Sequence, residues 1–346
     1  MIFQKAFSRA AKLTAAVAFV GASVAHAEDA GGFFSIVDEN DLWSDPLGTH
    51  QDRHYTHGSK LTWVASDDDL PRLTHALGKI PTWGMDHAIG NVGFAAGQSM
   101  FTPENILNPA PIPTDRPYAG WLYAGLLFER RAQASDHFAT LESFELDLGI
   151  IGHGSLADEA QKFIHSVRFP EDIPQGWSHQ IKDEPGLLLK YARLWRWSPT
   201  ARTGKYFDII PLVGAEVGNV NISGTAGATA RVGWNLPDDF GVQIIDSPAA
   251  VTGGLTERKN SFSAYLFAAA DGRLVGHDIT LDGNSYQTSQ SVKKYDCVND
   301  LSWGFAIQPC RHLEFSYMQV TRSKEFVGQK QKDVFGSFDV KFMCSF

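Results

Sequence analysis

Residues 336–346 read Gly-Ser-Phe-Asp-Val-Lys-Phe-Met-Cys-Ser-Phe, with side chains that alternate in character along the chain. Phe338, Val340 and Phe342 share one parity, whereas Asp339 and Lys341 share the other. This period of two predicts a β-strand with one apolar and one mostly polar face. In a soluble protein it would be an ordinary half-buried edge strand, so the rest of the chain must decide its setting.

The first 27 residues predict export through a cleaved signal peptide. Its marks are a basic start with Lys5, Arg9 and Lys12, an apolar stretch at 13–25, and a small-x-small cleavage site at 25–27. The apolar stretch is shorter than the ~20 residues that span a bilayer, which argues against a first transmembrane helix. In an exported chain, the strand at 336–346 resembles the C-terminal strand of bacterial outer-membrane barrels.

The remaining residues, 28–346, predict a single domain. Removing residues 1–27 takes away three basic residues and no acidic one, which changes the formal charge from −9 to −12. Such a charge argues against a nucleic-acid partner and is compatible with a divalent cation. Because this part lacks a long apolar run, a membrane protein built from it must be a closed barrel. The 23 Phe and 9 Trp of the full sequence also favour a barrel with aromatic girdles.

Alternating apolar and polar residues recur through the chain, as a lipid-facing wall around a wet interior requires. We therefore predict an all-β fold, a transmembrane antiparallel barrel of about a dozen strands, with a bacterial outer-membrane location. The candidate strands are 33–43, 56–66, 89–101, 117–129, 142–151, 187–198, 206–218, 225–234, 261–271, 275–290, 300–308, 312–322 and 335–346.

If both termini are periplasmic, the segments 44–55, 102–116 and 152–186 are outer loops. The longest one contains a predicted helix, Ser155–Val167, which Ser155 can cap and which has acidic residues in its first turns. Its apolar stripe comprises Ala157, Ala160, Phe163, Ile164 and Val167. Long outer loops with their own helix are commonly functional.

Polar groups of several segments converge at the outer rim in this topology. Asn40-Asp41 ends the first strand, 52–58 begins the second, 115–121 begins the fourth, and His165 lies on the loop helix. A histidine oriented by a carboxylate or amide can act as general base toward water, and carboxylate and amide oxygens suit Ca²⁺. No Gly-x-Ser-x-Gly motif occurs, which weakens a serine-nucleophile mechanism.

Taken together and in order, these motifs resemble the LpxR-type lipid A deacylases. The resemblance covers about residues 33 to 190, and the Asp-Arg-Pro-Tyr-Ala-Gly-Trp run is its most specific part. The matching motifs are Asn40-Asp41-x-Trp43, Asp52-x-x-Tyr55-Thr56-x-Gly58, Asp115-Arg116-Pro117-Tyr118-Ala119-Gly120-Trp121, Gln161-x-x-x-His165 and Gly176-Trp177-x-x-Gln180.

The resemblance implies a twelve-stranded outer-membrane barrel that removes the 3′-linked acyloxyacyl group from lipid A of lipopolysaccharide. It implies Ca²⁺-dependent chemistry in which His165 activates water and calcium supplies the oxyanion site. Asn40, Asp41 and Thr56 are the implied wall residues of the site, with Asp41 as a calcium ligand.

Two departures from the family affect substrate binding. The stretch 104–113 has no basic residue where members can carry a lysine, and Phe169 stands near the position of a tyrosine that can follow the base. Arg116 is the nearest cation and is expected to contact a lipid A phosphate, with Tyr118 as a second substrate-binding residue.

Other interpretations remain open at this point. The chain could be an outer-membrane phospholipase with a serine nucleophile, or a porin-like barrel without enzymatic activity. A disulfide between Cys297 and Cys310, which flank one predicted strand, is as plausible as unpaired thiols. The sequence does not indicate an oligomeric state.

Overall fold

The computed structural model describes residues 31–44, 52–65, 70–85, 88–199, 206–242, 244–245 and 262–345. The predicted signal peptide and the terminal Phe346 lie outside these ranges. Twelve antiparallel strands form one closed barrel. They are β1 (Gly31–Asn40), β2 (His54–Val64), β3 (Ile89–Thr102), β4 (Ala119–Ser135), β5 (Phe138–Ile151), β6 (Glu184–Trp197), β7 (Phe207–Gly218), β8 (Asn221–Trp234), β9 (Ser263–Asp278), β10 (Cys297–Cys310), β11 (Leu313–Arg322) and β12 (Asp333–Ser345).

The barrel closes where β1 pairs with β12, from Gly31 opposite Ser345 to Asn40 opposite Gly336. Every strand therefore has two hydrogen-bonded neighbours, and no edge is left unpaired. On β12, Phe338 and Phe342 are exposed on the outer wall, whereas Asp339 and Lys341 are buried in the lumen. The predicted barrel and the two faces of its last strand are confirmed.

The prediction of a separate strand at 275–290 is wrong. The first residues of this range belong to the end of β9, and a one-turn helix, α3 (Ile279–Asp282), follows them. Asp278 caps this helix by accepting a hydrogen bond from the Thr280 NH at 2.9 Å, and Gly283 ends it with a φ of 80°. In the sequence, the alternation of apolar and polar residues continues beyond Asp278, where the chain turns. It therefore does not mark the end of the strand.

The cysteines of β10 do not form a bridge. Cys297 begins the strand and Cys310 ends it, and both carry exposed free thiols. At ~3.3 Å per residue, a strand of this length separates its ends by about 43 Å, far beyond the reach of a disulfide.

Two longer helices lie in the connections. Helix α1 (Pro71–Leu77) follows β2, and helix α2 (Ala157–Arg168) lies in the β5–β6 loop near its predicted position. The predicted cap of α2 is wrong: Leu156 is the N-cap, in a left-handed conformation, and the Ser155 hydroxyl donates to the Gly152 carbonyl at 2.5 Å. None of the helices in the described ranges has the length and apolar character needed to span a membrane.

Charged side chains and an inward-folded segment fill the lumen. Lys60 on β2 reaches across to Glu145 on β5 at 2.7 Å, and Lys190 contacts Asp147 at 3.0 Å. The chain after β8 also enters the lumen, where the Ile245 NH donates to Glu39 at 2.9 Å. A cavity of about 60 Å³ remains in the lumen, with Lys190 and Ile245 in its lining.

This packing predicts that the barrel does not conduct ions. Reconstituted into a planar bilayer, the protein should give no steady single-channel steps, because paired charges and the inward-lying Ile245 obstruct the interior. A porin added afterwards to the same bilayer serves as the positive control. Stable openings before that addition would contradict the interpretation of the lumen.

Candidate active site

The turn after β1 is folded onto the outside of the barrel wall. Asn40 shapes it, because its side-chain oxygen accepts a hydrogen bond from the Leu42 NH at 2.7 Å. The indole NH of Trp43 donates to Asp38 at 2.8 Å, and its ring packs edge-on against Phe338. Gly336 permits this approach, since a Cβ there would lie 2.6 Å from the Trp43 Cβ. Asp41, the first residue of the turn, is thereby held at the outer rim.

Asp41 carries an unusual carboxylate. One oxygen accepts a hydrogen bond from the Arg53 NH at 2.9 Å, and the other is buried without a hydrogen-bond partner among the described residues. Burial and the negative charge of Asp52 raise the pKa of Asp41 well above its ordinary value, with a smaller contribution from Asp333. This environment favours either protonation or a nearby cation.

Helix α2 also lies outside the wall, against β3 and β4. The Gln98 side chain, which points away from the lumen, donates to the Ser155 carbonyl at 2.7 Å. Gly120 on β4 allows the close contact, because a Cβ there would lie 2.0 Å from the Ser155 hydroxyl and 2.5 Å from the Ala157 Cβ. The loop helix is thus fixed to the flank of the barrel rather than above its mouth.

A chain of hydrogen bonds joins α2 to the β1–β2 loop. His165 Nε2 lies 2.6 Å from Asp52 Oδ2, and the Gln161 amide donates to the same oxygen at 2.6 Å. The Trp177 indole NH in turn donates to Gln161 at 2.7 Å. His165 and Asp52 are both almost completely buried. With Nε2 donating to the carboxylate, the imidazole has the tautomer in which Nδ1 accepts a proton.

The pKa of His165 is raised. Burial of the ring lowers it, but the hydrogen bond and charge of Asp52, with contributions from the backbone and charge of Asp172, outweigh that effect. A raised pKa makes the neutral imidazole a stronger base, and this neutral form is lost as the pH falls through the raised value.

A cavity of about 220 Å³ lies beside this pair, with Asp52, Arg53 and Asp172 in its polar lining and Ile106 and Leu107 in its apolar lining. It has room for a small polar group, with apolar surface next to it.

Tyr118 organises one side of the cavity. Its hydroxyl donates to the Ile106 carbonyl at 3.0 Å, and its ring packs on Trp177 with a centroid distance of 4.8 Å. It therefore holds the β3–β4 and β5–β6 loops together around the cavity, and its predicted contact with substrate stays a prediction.

Thr56 occupies a β-bulge in β2, as the extra residue between Tyr55 and His57. A bulge re-aims side chains, and here the Thr56 hydroxyl lies 2.8 Å from that of Thr102. The structure thus places Thr56 in the wall near the rim. The turn of Asn40 and Asp41 is instead linked to the loop that carries Asp52, through the hydrogen bond from the Arg53 NH to Asp41. A catalytic role for Thr56 stays a prediction.

Arg116 lies in the lumen, away from the cavity. Its guanidinium pairs with Glu325 at 3.1 Å and Asp278 at 3.6 Å, and it stacks over Phe101. It is 1% exposed, which does not support the predicted phosphate contact. Arg53 is the cation that lines the cavity, with its Nε 3.5 Å from Asp333.

Three residues of the candidate site have no role assigned from the sequence, although they lie in the quoted motifs. They are Asp52, Gln161 and Trp177. Helical spacing was a usable signal for one of them, because Gln161 precedes His165 by four residues and shares its face. No spacing rule connects Asp52 with His165, since they lie on different loops.

The donor set near Asp41 fits a hard cation in part. The buried oxygen without a partner and the neighbouring carboxylate of Asp52 are features that Ca²⁺ would stabilise. Within the described ranges, no group of three or more His, Cys, Asp or Glu residues is arranged to hold a metal. Asp41 is therefore the one side chain that we assign as a candidate ligand.

Replacing Asp52 with Asn should lower the pKa of His165, because the charge that raises it is removed. Histidine NMR of the isotope-labelled protein should show the His165 titration midpoint at lower pH than in the wild type. Asp158→Asn is a matched control on the same helix, since Asp158 pairs with Lys162 instead. An unchanged His165 midpoint in Asp52→Asn would refute the role assigned to the pair.

The geometry can be compared with known proteins. The family described as "Outer membrane protein LpxR" matches residues 13–344. The solved structure of LpxR from Salmonella typhimurium is similar with a TM-score of 0.70 and 20% identity, covering 90% of this chain and 99% of that one.

Two autotransporter domains resemble the chain more weakly. The translocator domain of NalP from Neisseria meningitidis has a TM-score of 0.40 and 12% identity, covering 99% of this chain and 98% of that one. The Bordetella BrkA β domain has a TM-score of 0.43 and 8% identity, covering 92% and 100%. Neither likeness bears on function. No curated protein sequence matches the chain. The family match over nearly the whole sequence shows that this chain belongs to the LpxR family of outer-membrane proteins.

Proposed function

We propose that the protein is an outer-membrane hydrolase that removes the 3′-linked acyloxyacyl chain from lipid A of lipopolysaccharide. The observation that carries the proposal is the His165–Asp52 pair, because its Asp52 lines a cavity formed by the loops on the outer flank of the barrel. A base between the loop helix and the outer surface of the wall is placed beside the surrounding lipid rather than in a pore. Lipid A is the ester-bearing lipid of the outer leaflet, and membership of the LpxR family supports this choice.

The proposed reaction is ester hydrolysis with His165 as general base. His165 Nδ1 takes a proton from water while Nε2–H stays bonded to Asp52, which stabilises the imidazolium that forms. The oxygen of that water attacks the ester carbonyl to give a tetrahedral intermediate. When the bond to the sugar oxygen breaks, the imidazolium returns the proton to that oxygen, leaving a carboxylic acid and a sugar hydroxyl.

The turn bearing Asn40 and Asp41 has a supporting role in this proposal. Asn40 keeps the turn in shape, and Asp41 presents its buried carboxylate oxygen beside the loop of Asp52. We assign Asp41 to a calcium ion, which when bound supplies positive charge that stabilises an oxyanion. Residues of the barrel wall, Thr56 among them, are proposed to position these groups.

The chain also contains a serine, a histidine and an aspartate in contact, on the outer face of β1 and β2. Ser59 Oγ lies 3.2 Å and Asp38 Oδ2 3.0 Å from His57, but both approach the same ring nitrogen, Nε2. A nucleophile–base–acid relay needs two different ring nitrogens, so this group does not form such a triad. It holds Asp38 in place for Trp43 and gives no support to a serine hydrolase.

His165→Ala and Asp41→Ala should fold as barrels and lose lipid A deacylation, by at least about 10²-fold for the base. Mass spectrometry of lipid A from cells that express each variant measures the loss of the acyloxyacyl group. Ser59→Ala is the matched control, and it should process lipid A like the wild type. Full processing by His165→Ala, or loss of processing in Ser59→Ala, would contradict the assignment.

Chelation should abolish the activity of the purified protein on lipid A, and added calcium should restore it. Asp41→Asn should need more calcium for half-maximal activity, because one negative ligand oxygen is neutralised. Calcium binding measured by calorimetry gives the same comparison without turnover. Activity that is indifferent to EDTA would exclude the calcium assignment while leaving the His165–Asp52 pair intact.

A further inference from the structure

Helix α2 has three distinct faces. A helix turns about 100° per residue, which places Ala157, Gln161 and His165 on one arc of about 80°. This arc is buried against the barrel. A second arc of about 100° contains Phe163, Ile164 and Val167, and the apolar N-cap residue Leu156 precedes the helix. All four of these apolar side chains are exposed, Phe163 by 59% and Val167 by 72%.

The sequence predicts an apolar stripe on this helix, and the structure leaves most of that stripe exposed. Only Ala157 of the predicted stripe is fully buried. The third arc carries Glu159, Lys162 and Ser166, which are polar. The surface of the helix that does not touch the barrel is thus itself divided into an apolar and a polar side. This pattern is typical of helices that lie in a membrane interface.

The location of α2 determines what covers the apolar arc. Its first turn packs on outward-facing residues of β3 and β4, so the helix lies beside the wall. The strands that flank its loop expose leucines on the same outer surface: Leu146 and Leu148 on β5, and Leu187 and Leu189 on β6. Leu148 pairs with Leu187 across these two strands. The exposed apolar arc of α2 and these exposed leucines thus belong to the same outer side of the barrel wall.

We propose that the apolar arc of α2 is embedded in the outer leaflet and binds the acyl chains of the lipid substrate. This inference rests on the proposed function, because the acyl chains belong to the ester that His165 attacks. His165 lies between Ile164 and Val167 in sequence and on the neighbouring arc of the same helix. The depth at which the arc enters the leaflet therefore sets the height of the base relative to the acyl ester.

The cavity supports this arrangement. Its apolar lining residue Leu107 is 47% exposed, next to the polar lining formed by Asp52 and Asp172. A lipid ester has the same sequence of groups, a polar carbonyl followed by an apolar chain. The chain can leave the cavity over the exposed side chain of Leu107.

Spin labelling of the full chain in phosphatidylcholine vesicles tests the embedding. In a background with serine in place of Cys297, Cys310 and Cys344, nitroxides are attached to Phe163→Cys or Val167→Cys. Leu148→Cys on the wall is the lipid reference, and Glu159→Cys on the polar face is the aqueous reference. We expect labels at 163 and 167 to collide with oxygen as the Leu148→Cys label does, and to be shielded from a water-soluble nickel chelate.

Two results of this measurement would overturn the proposal. Exposure of the 163 and 167 labels to the nickel chelate, at the level of Glu159→Cys, would place the arc in water. Shielding from both reagents would mean that protein, such as a second copy of the chain, covers it. The measurement does not depend on enzymatic activity, so it decides the embedding even if the proposed reaction is wrong.

Kinetics test the binding of acyl chains. Val167→Asp should lower the rate on lipid A in vesicles about tenfold or more, with the loss in KM, because a charge replaces a side chain in the acyl layer. Ser166→Asp places the same charge on the polar face and should stay within about twofold of the wild type. Equal rates for Val167→Asp and the wild type would refute the inference alone, whereas an inactive wild type would refute the proposed function.

Discussion

Closure of β1 onto β12 is the constraint on which the remaining structure depends. In lipid every backbone NH and carbonyl needs a partner, and a single unpaired edge would leave a whole row of them unsatisfied. The same pairing fixes the register, so that Asn40 stands opposite both His57 and Gly336. The turn that carries Asp41 starts from this point, and its position follows from the closure of the wall.

Two glycines allow the elements of the candidate site to pack closely on the outside of this wall. Gly336 accommodates the turn with Trp43, and Gly120 accommodates the start of α2. Both elements therefore lie on the outer flank, where Asp52 and His165 meet at 2.6 Å. The lumen has a different role, since its paired charges, such as Lys60 with Glu145, hold the strands together from inside. The stabilising ion pairs thus lie inside the barrel, and the candidate active site lies on its outer surface.

Period-two alternation was sufficient to predict the barrel. Lipid outside requires apolar side chains at positions such as Phe338, and the charged lumen favours polar ones at positions such as Asp339. This signal failed at 275–290, where Asp278 and Gly283 redirect the chain despite continued alternation. A motif predicted the candidate base His165, which the structure places 2.6 Å from Asp52. The placement of Arg116 was not predictable, because this residue precedes β4 and strand alternation does not fix the direction of its side chain. The partnership of Asp52 with His165 depends on the docking of α2, which no local pattern encodes.

The location of the cavity on the flank has a kinetic consequence. A substrate confined to the leaflet reaches it by lateral diffusion in two dimensions. The encounter rate then depends on the mole fraction of that lipid among its neighbours, and dilution of the vesicles in buffer leaves it unchanged. Adding an inert lipid slows such a reaction as effectively as removing substrate. Membrane composition therefore becomes a control on the rate, even with the amounts of protein and substrate held constant.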